Sequence, residues 1–396
     1  MAVESETGPF RGEATRPWND PRVRAIFYQA VVLALIALGA WYLIANTIDN
    51  LQRAHIASGF GFLNRESGFA IGESPIAYSP ASTYGRAFLV GLLNTFRVAI
   101  LGIVFCTIIG VVMGIARLSS NLLVAKAAAG YVNVIRNIPL LLQLFIWYGV
   151  ISVSLPAPRQ ALQPVSGFFL SNRGLQVPVP EPIPAYGAMA VALLVGIVAT
   201  VVIARWAKAR QMRTGQPFVT GKVGAGLIIG LPLLAWLVFG APLAFSVPEL
   251  HGFNFRGGVT MTPEFTAVLF GLTFYTAGFI AEIVRSGILA VSFGQTEAAL
   301  ALGLTRGQVL RLVVLPQAMR IIIPPTTSQY LNLVKNSSLA VAVGYPDLVS
   351  VGNTTMNQTG QAVEAVTIFM AVYLLISLAI SAFMNWYNRH VALVER

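Results

Sequence analysis

Two cations stand where a charge is expensive. Arg97 and Lys335 each fall within a long apolar run, and a charge near the centre of a membrane helix costs at least about 2.5–3.5 kcal/mol. No acidic residue sits at comparable depth in those runs, since Glu264, Glu282 and Glu364 lie near run ends. Cations without carboxylates beside them fit an anionic partner brought from outside the chain. Lys335 is followed by Asn336, Ser337 and Ser338, then by small residues and Gly344. Their hydroxyl and amide groups can loosen a helix and turn backbone dipoles toward a polar cavity. A second reading stays open, in which Lys335 snorkels outward or meets a helix C-terminal carbonyl and the serines bond back to their own helix.

Other chemistry is thinly represented. His55, His251 and His390 are scattered without metal-ligand spacing, and no nucleophile and base share a motif, so neither catalytic nor metal-binding residues are expected. Gly215 to Lys222 comes nearest to a phosphate-binding loop. It has five residues between its glycines and Val223 after the lysine, so both the phosphate cradle and the magnesium hydroxyl are missing.

The strongest motif is Glu297-Ala298-Ala299, three residues, Gly303, nine residues, then Val313-Val314-Leu315-Pro316. Thr296 can cap a short helix whose small face, Ala298, Ala299 and Ala301, admits a close neighbour. Gly303 can end that helix and Thr305 can cap a second, while Pro316 limits helical continuity beyond it. The pattern resembles the EAA loop of ABC-importer membrane subunits, with valine where isoleucine is usual. Asn94-Thr95, Arg117-Leu118-Ser119, Tyr131, Arg136-Asn137-Ile138-Pro139-Leu140-Leu141 and Lys335-Asn336-Ser337-Ser338-Leu339 are similar to the polar amino-acid permeases of that superfamily. The resemblance covers roughly 85–152 and 263–390. The long segment between them resembles the insertion of the larger permease of general L-amino-acid or glutamate/glutamine/aspartate/asparagine importers.

That resemblance implies an all-α integral membrane protein, with a type I importer core of five helices plus an N-terminal helix and an inserted helix pair. It implies ATPase coupling through Glu297, Ala298, Ala299, Gly303, Leu315 and Pro316, while the intramembrane cations and the polar groups beside them mark a candidate substrate pathway at Arg97, Lys335, Asn336, Ser337 and Ser338 that an amino acid's α-carboxylate would suit. It further implies a dimeric ABC ATPase that uses ATP and magnesium, a second related permease and a periplasmic amino-acid-binding protein. This chain would bind no cofactor and hydrolyse nothing itself. An ion-coupled secondary transporter is the alternative, and it would ordinarily want buried carboxylates. A membrane scaffold is the third, and it leaves the spaced loop without purpose.

The elements follow from composition. Of 396 residues, 56% are hydrophobic and 10% charged, against about a quarter charged in an ordinary soluble domain. Spans are expected at 25–48, 87–116, 138–155, 186–204, 223–245, 263–284, 318–343 and 364–386, most of them near the roughly 20 residues that cross a bilayer. The net charge of +11 sits in clusters at the ends of these runs, which reads as membrane topology and not as a nucleic-acid surface. With both termini cytoplasmic, inner segments hold eighteen of the 26 lysines and arginines and outer segments six, Arg97 and Lys335 falling within spans. The inner set includes Arg11, Arg16, Arg22, Arg320 and Arg396. Inner-membrane location with cytoplasmic termini follows from that bias.

The expected organisation is a cytoplasmic N-terminus (1–24), an extra membrane helix (25–48), a periplasmic loop (49–86) and a first core part (87–155). An insertion (156–262) and a second core part (263–390), with the coupling loop at 285–317, complete it. The first run reads as a retained helix, because a long polar segment precedes it and no cleavage site follows. Cys106 reads as a packing residue. Pro178, Pro180, Pro182 and Pro184 predict an extended polyproline spacer. Gly110 with Gly114, and Gly226 with Gly230, read as close helix contacts.

Overall fold

A computed structural model of the chain describes residues 21–53 and 58–391. Arg11, Arg16, His55, Arg396 and the side chains of Arg22 and His390 lie outside the described residues, as does most of the segment 1–24. Among the described residues seven helices are long and apolar enough to cross a membrane, and an eighth crossing is available if one sharply bent pair counts as a span.

The first helix, α1 (Pro21–Arg53), has no buried position in its apolar stretch. Residues 58–83 then fold onto the bundle instead of forming an open spacer. A short 3-10 turn, Phe60–Asn64, buries Phe62 against Tyr84 and Phe88. The Gly59 N–H donates to the Glu364 carboxylate at 2.5 Å. Thr83 caps α2 (Tyr84–Ala116) by accepting from the Arg86 N–H.

Helices α3 (Leu122–Asn137) and α4 (Leu140–Gly149, prolonged by a wide turn over Val150–Ser154) meet at 107°. The cause is local. Pro139 excludes Ile138 from helical backbone and offers no N–H of its own, and Ile138 is extended. The amide of Gln143 donates to the Ile135 and Ile138 carbonyls, at 2.8 and 2.9 Å, and satisfies groups the break sets free. The span expected at 138–155 is therefore shorter than a bilayer: Leu140–Ser154 extends only about 22 Å at 1.5 Å per residue.

The insertion holds more than two helices. Eight short strands flank them: β1 (Leu162–Val165), β2 (Phe168–Ser171), β3 (Gly174–Val177), β4 (Val179–Pro180), β5 (Phe245–Ser246), β6 (Glu249–His251), β7 (Asn254–Arg256) and β8 (Val259–Met261). An antiparallel sheet runs β1-β2-β3-β8, with β4 paired to β5 and β6 to β7. The proline segment thus contributes a strand at Val179–Pro180, and Pro184 opens α5 (Pro184–Thr214), where its missing N–H costs nothing. Helix α6 (Thr220–Val238) returns beside α5. The close contacts in this pair come from Gly196 and Gly224, where an added Cβ would stand 2.7 Å from the Leu227 carbonyl oxygen and 2.6 Å from Thr200 Cγ2. Gly226 and Gly230 face open space, contrary to their spacing.

The core is built around α7 (Pro263–Leu289), which is buried along most of its length. Its main neighbour is α2. The two approach at Gly110 and Gly114, where a Cβ would meet Ile280 Cγ2 at 2.6 Å and the Ala281 carbonyl oxygen at 2.8 Å. Cys106 lies fully buried in the same core. After α8 (Phe293–Ala301) and α9 (Arg306–Val309), α10 (Leu315–Asn336) packs on α7 and continues as a 3-10 turn to Val343. Short α11 (Leu348–Thr359) and long α12 (Ala362–Val391) complete the described residues.

Candidate functional site

At one end of α7 the chain makes a compact elbow. Helix α8 begins after Ser292, so Thr296 lies inside it and does not cap it. Gly303 takes φ +80°, a left-handed conformation that a Cβ would strain, and ends α8. Thr305 then caps α9 in a full capping box with Gln308. From Arg306 onward the backbone is continuously helical, through a wide turn at Leu310–Val314 into α10. Pro316 sits in the first turn of α10, where it needs no N–H and leaves continuity intact.

Exposure sorts the motif into two faces. Glu297, Ala298, Ala301, Gly303 and Leu315 are exposed and Pro316 is half-buried, whereas Ala299 is 4% exposed and packs inward. The small outward face is thus Ala298 and Ala301, without Ala299. Beside it stand two large apolar side chains that the motif does not include, Phe293 and Leu302, the latter 83% exposed.

Toward the elbow, the ends of three helices are tied by one carboxylate. Glu282 of α7 accepts from Arg117 at the end of α2 and from Arg285 at 2.7 Å, with Arg136 of α3 at 3.9 Å. Arg136 also lies over the Phe279 ring. Sequence reading placed Arg136 only in a family-like motif and Glu282 only near the end of an apolar run, so this tie was missed. Arg320 lies within α10 with Nε and Nη2 buried and without hydrogen-bond partners among the described residues, a feature nothing else in the structure explains.

Arg97 has a carboxylate partner, and this corrects the expectation of an unpaired cation. Its Nη1 donates to Glu73 Oε1 at 2.5 Å, and its guanidinium lies 4.4 Å from the centre of the Phe265 ring. Glu73 comes from the 58–83 segment, outside the apolar runs. Its other oxygen accepts from Thr262, the residue that caps α7, at 2.9 Å. Asn94 of α2 donates to the Glu73 carbonyl and to the Pro346 carbonyl, both at 2.9 Å. Thr95 accepts from the Leu348 N–H, so α11 starts against α2. Burial pushes the Glu73 carboxyl above its ordinary value, with Arg97 and Thr262 pulling it back.

Next to this junction lies a polar cavity of about 450 Å³. Phe69 to Glu73, Thr262, Glu264, Gly344, Pro346, Ser350, Val351 and Thr354 line it. Lys335 is exposed on α10 and its ammonium group has no hydrogen-bond or ion-pair partner among the described residues, and neither does the Asn336 side chain. No bond or ion pair joins Lys335 to Arg97. Ser337 and Ser338 donate to the Val334 and Lys335 carbonyls, each at 2.7 Å, which is the back-bonding alternative. Among the described residues no group of His, Cys, Asp and Glu could hold a metal.

A multi-pass helical bundle with a small-residue elbow at one end and a polar junction at the other has the form of a membrane transport component. The chain belongs to the family described as the binding-protein-dependent transport system inner membrane component, whose model matches residues 106–393. It is 54% identical over 378 residues to the general L-amino acid transport system permease protein AapQ of Rhizobium johnstonii, covering 95% of this chain and 94% of that one. It is 41% identical over 409 residues to the glutamate/glutamine/aspartate/asparagine transport system permease protein BztB of Rhodobacter capsulatus, covering 95% and 96%. Among solved structures it is similar to a chain in a crystal structure of an amino acid ABC transporter with histidines, at 20% identity and a TM-score of 0.46, covering 78% of this chain and 95% of that one. An ion-coupled secondary transporter finds no support in these relatives.

Proposed function

We propose that this chain is a passage-forming permease subunit of an ATP-driven importer that carries polar amino acids from periplasm to cytoplasm by alternating access. The observation that carries this reading is the elbow. It exposes Glu297, Ala298, Phe293 and Leu302 on and just after α8, and α8 packs against the segment Arg306–Val314, which runs into α10 of the core without a break in helical backbone. A force applied to α8 therefore passes, through the packing of α8 on α9 and the following turn, to a helix that continues into the membrane. The partner that applies it is a separate, dimeric ABC ATPase, which uses ATP and magnesium. Glu297, Ala298, Ala299, Gly303, Leu315 and Pro316 form the coupling segment, with Ala299 acting from within by holding α8 on its support.

In this reading the elbow faces the cytoplasm with both termini, as the basic-residue bias favours, and the membrane is the bacterial inner membrane. A second related permease completes the passage, and a periplasmic amino-acid-binding protein delivers the cargo. Residues 87–155 and 263–390 form the five-helix core, and 156–262 is an insertion on it. Arg97 and the Lys335–Ser338 stretch flank the passage.

The test is reconstituted uptake. Glu297→Lys and Gly303→Asp are expected to leave the subunit inserted and assembled while ATP-dependent uptake falls to background. ATP-driven uptake at the wild-type rate in both variants would remove the elbow from coupling. Uptake driven by an ion gradient, without ATPase or ATP, would reject the importer reading.

A further inference from the structure

Arg97 and Glu73 form an unusual pair for a membrane helix. The cation belongs to α2, whereas its counter-ion is carried 24 residues earlier on a segment outside the spans. Arg97 keeps 25% of its side chain exposed and Glu73 10%. Among the described residues the guanidinium makes one hydrogen bond, from Nη1. A fork that could grip a carboxylate through two parallel bonds is thus held through one. The grip on Glu73 is otherwise light: the Thr262 hydroxyl, and the Asn94 amide on its main chain. Gly68 and Gly72 interrupt the segment just before it, each with open space where a side chain would be.

The adjoining cavity is lined by two carboxylates, which suit an ammonium group, and the Arg97 guanidinium stands behind one of them, Glu73. Its volume of about 450 Å³ falls within the range of small-molecule sites. Glu264, which accepts from the Tyr148 hydroxyl at 3.3 Å, and Glu73 both line it. We propose that the Arg97 guanidinium is a carboxylate seat, occupied by Glu73 in the resting subunit and taken over by the α-carboxylate of an incoming amino acid. The displaced Glu73 carboxylate and Glu264 then face the α-ammonium group. This places a polar zwitterion against charges of opposite sign at each end and leaves its side chain toward Ser350 and Thr354. It rests on the importer reading, and it adds the mode of recognition and an internal competitor. A chain segment that mimics the ligand's carboxylate lowers apparent affinity by the fraction of time it holds the seat.

The experiment uses the assembled complex in nanodiscs without the binding protein, with equilibrium binding of labelled L-glutamine and of the same molecule amidated at its α-carboxylate. Glu73→Gln is expected to bind L-glutamine several-fold more tightly than wild type, with no gain for the amide. Arg97→Gln is expected to lose the preference for the carboxylate form. The exchanged double variant E73R/R97E restores the pair, so its thermal midpoint should return toward wild type while L-glutamine binding stays lost. Wild-type binding by the exchanged variant would show a structural pair alone and overturn the seat, as would unchanged affinity in Glu73→Gln. Failure of the wild-type complex to take up any amino acid with ATP would overturn the importer reading, an outcome distinct from both.

Discussion

Glu73 shows how one side chain's environment sets a measurable property. Desolvation raises its carboxyl from the ordinary 4.5 despite Arg97 and Thr262, so the folded chain holds that proton more tightly than the unfolded chain does. The stabilisation from protonating it is fully present below the unfolded value and is lost as pH rises through the raised folded value. Thermal midpoints measured across that window should therefore fall less with rising pH in Glu73→Gln than in wild type. Parallel curves would mean that the carboxyl is not buried as described. Glu73→Ala leaves Arg97 without its counter-ion beside Phe265, and should cost about 2–3 kcal/mol, below the full cost of breaking a wholly buried pair because the site is partly open.

Helix pairs are decided by where backbones touch. Gly110 and Gly114 sit against Ile280 and Ala281 of α7 with no room for a methyl group. Gly110→Ala and Gly114→Ala should each lower stability by about 1–3 kcal/mol, the usual range for overpacking. Gly230→Ala meets nothing and should be neutral in the same thermal-melt assay. Equal effects at all three positions would contradict the packing. In the elbow, Thr305→Ala removes a capping box worth about 1 kcal/mol. Because that helix end is exposed, the loss should appear as faster hydrogen exchange confined to residues 305–309, with the global melt unchanged.

Across the whole chain, the insertion behaves as an appendage. Helices α5 and α6 pack chiefly on each other, and the strand pair β4–β5 closes their base, so the chain enters and leaves the hairpin side by side. Replacing residues 182–243 by a short glycine-serine turn should leave the core's melting midpoint within a few degrees of wild type. A collapse of the core in that variant would show that the hairpin is structural. Lys335→Ala, which removes an exposed, unpaired cation, should weaken uptake while assembly stays normal. Unchanged uptake would take Lys335 out of the passage.

The membrane character, seven of the eight expected spans and the turn of the elbow were legible because each depends on chemistry close in sequence, whereas the span expected at 138–155 is cut short at Pro139. A long apolar run is its own evidence of a solvent, and Gly303 and Thr305 act on their immediate neighbours. The strands of the insertion were not legible, because Val179–Pro180 pairs with a segment more than sixty residues away. Gly226 and Gly230 carried the right spacing but stand on the wrong face of α6, and spacing alone cannot say which face meets a neighbour. Arg97 looked unpaired for the same reason. A buried cation requires an anion somewhere, but only the fold of residues 58–83 over α2 and α7 chose Glu73 to supply it.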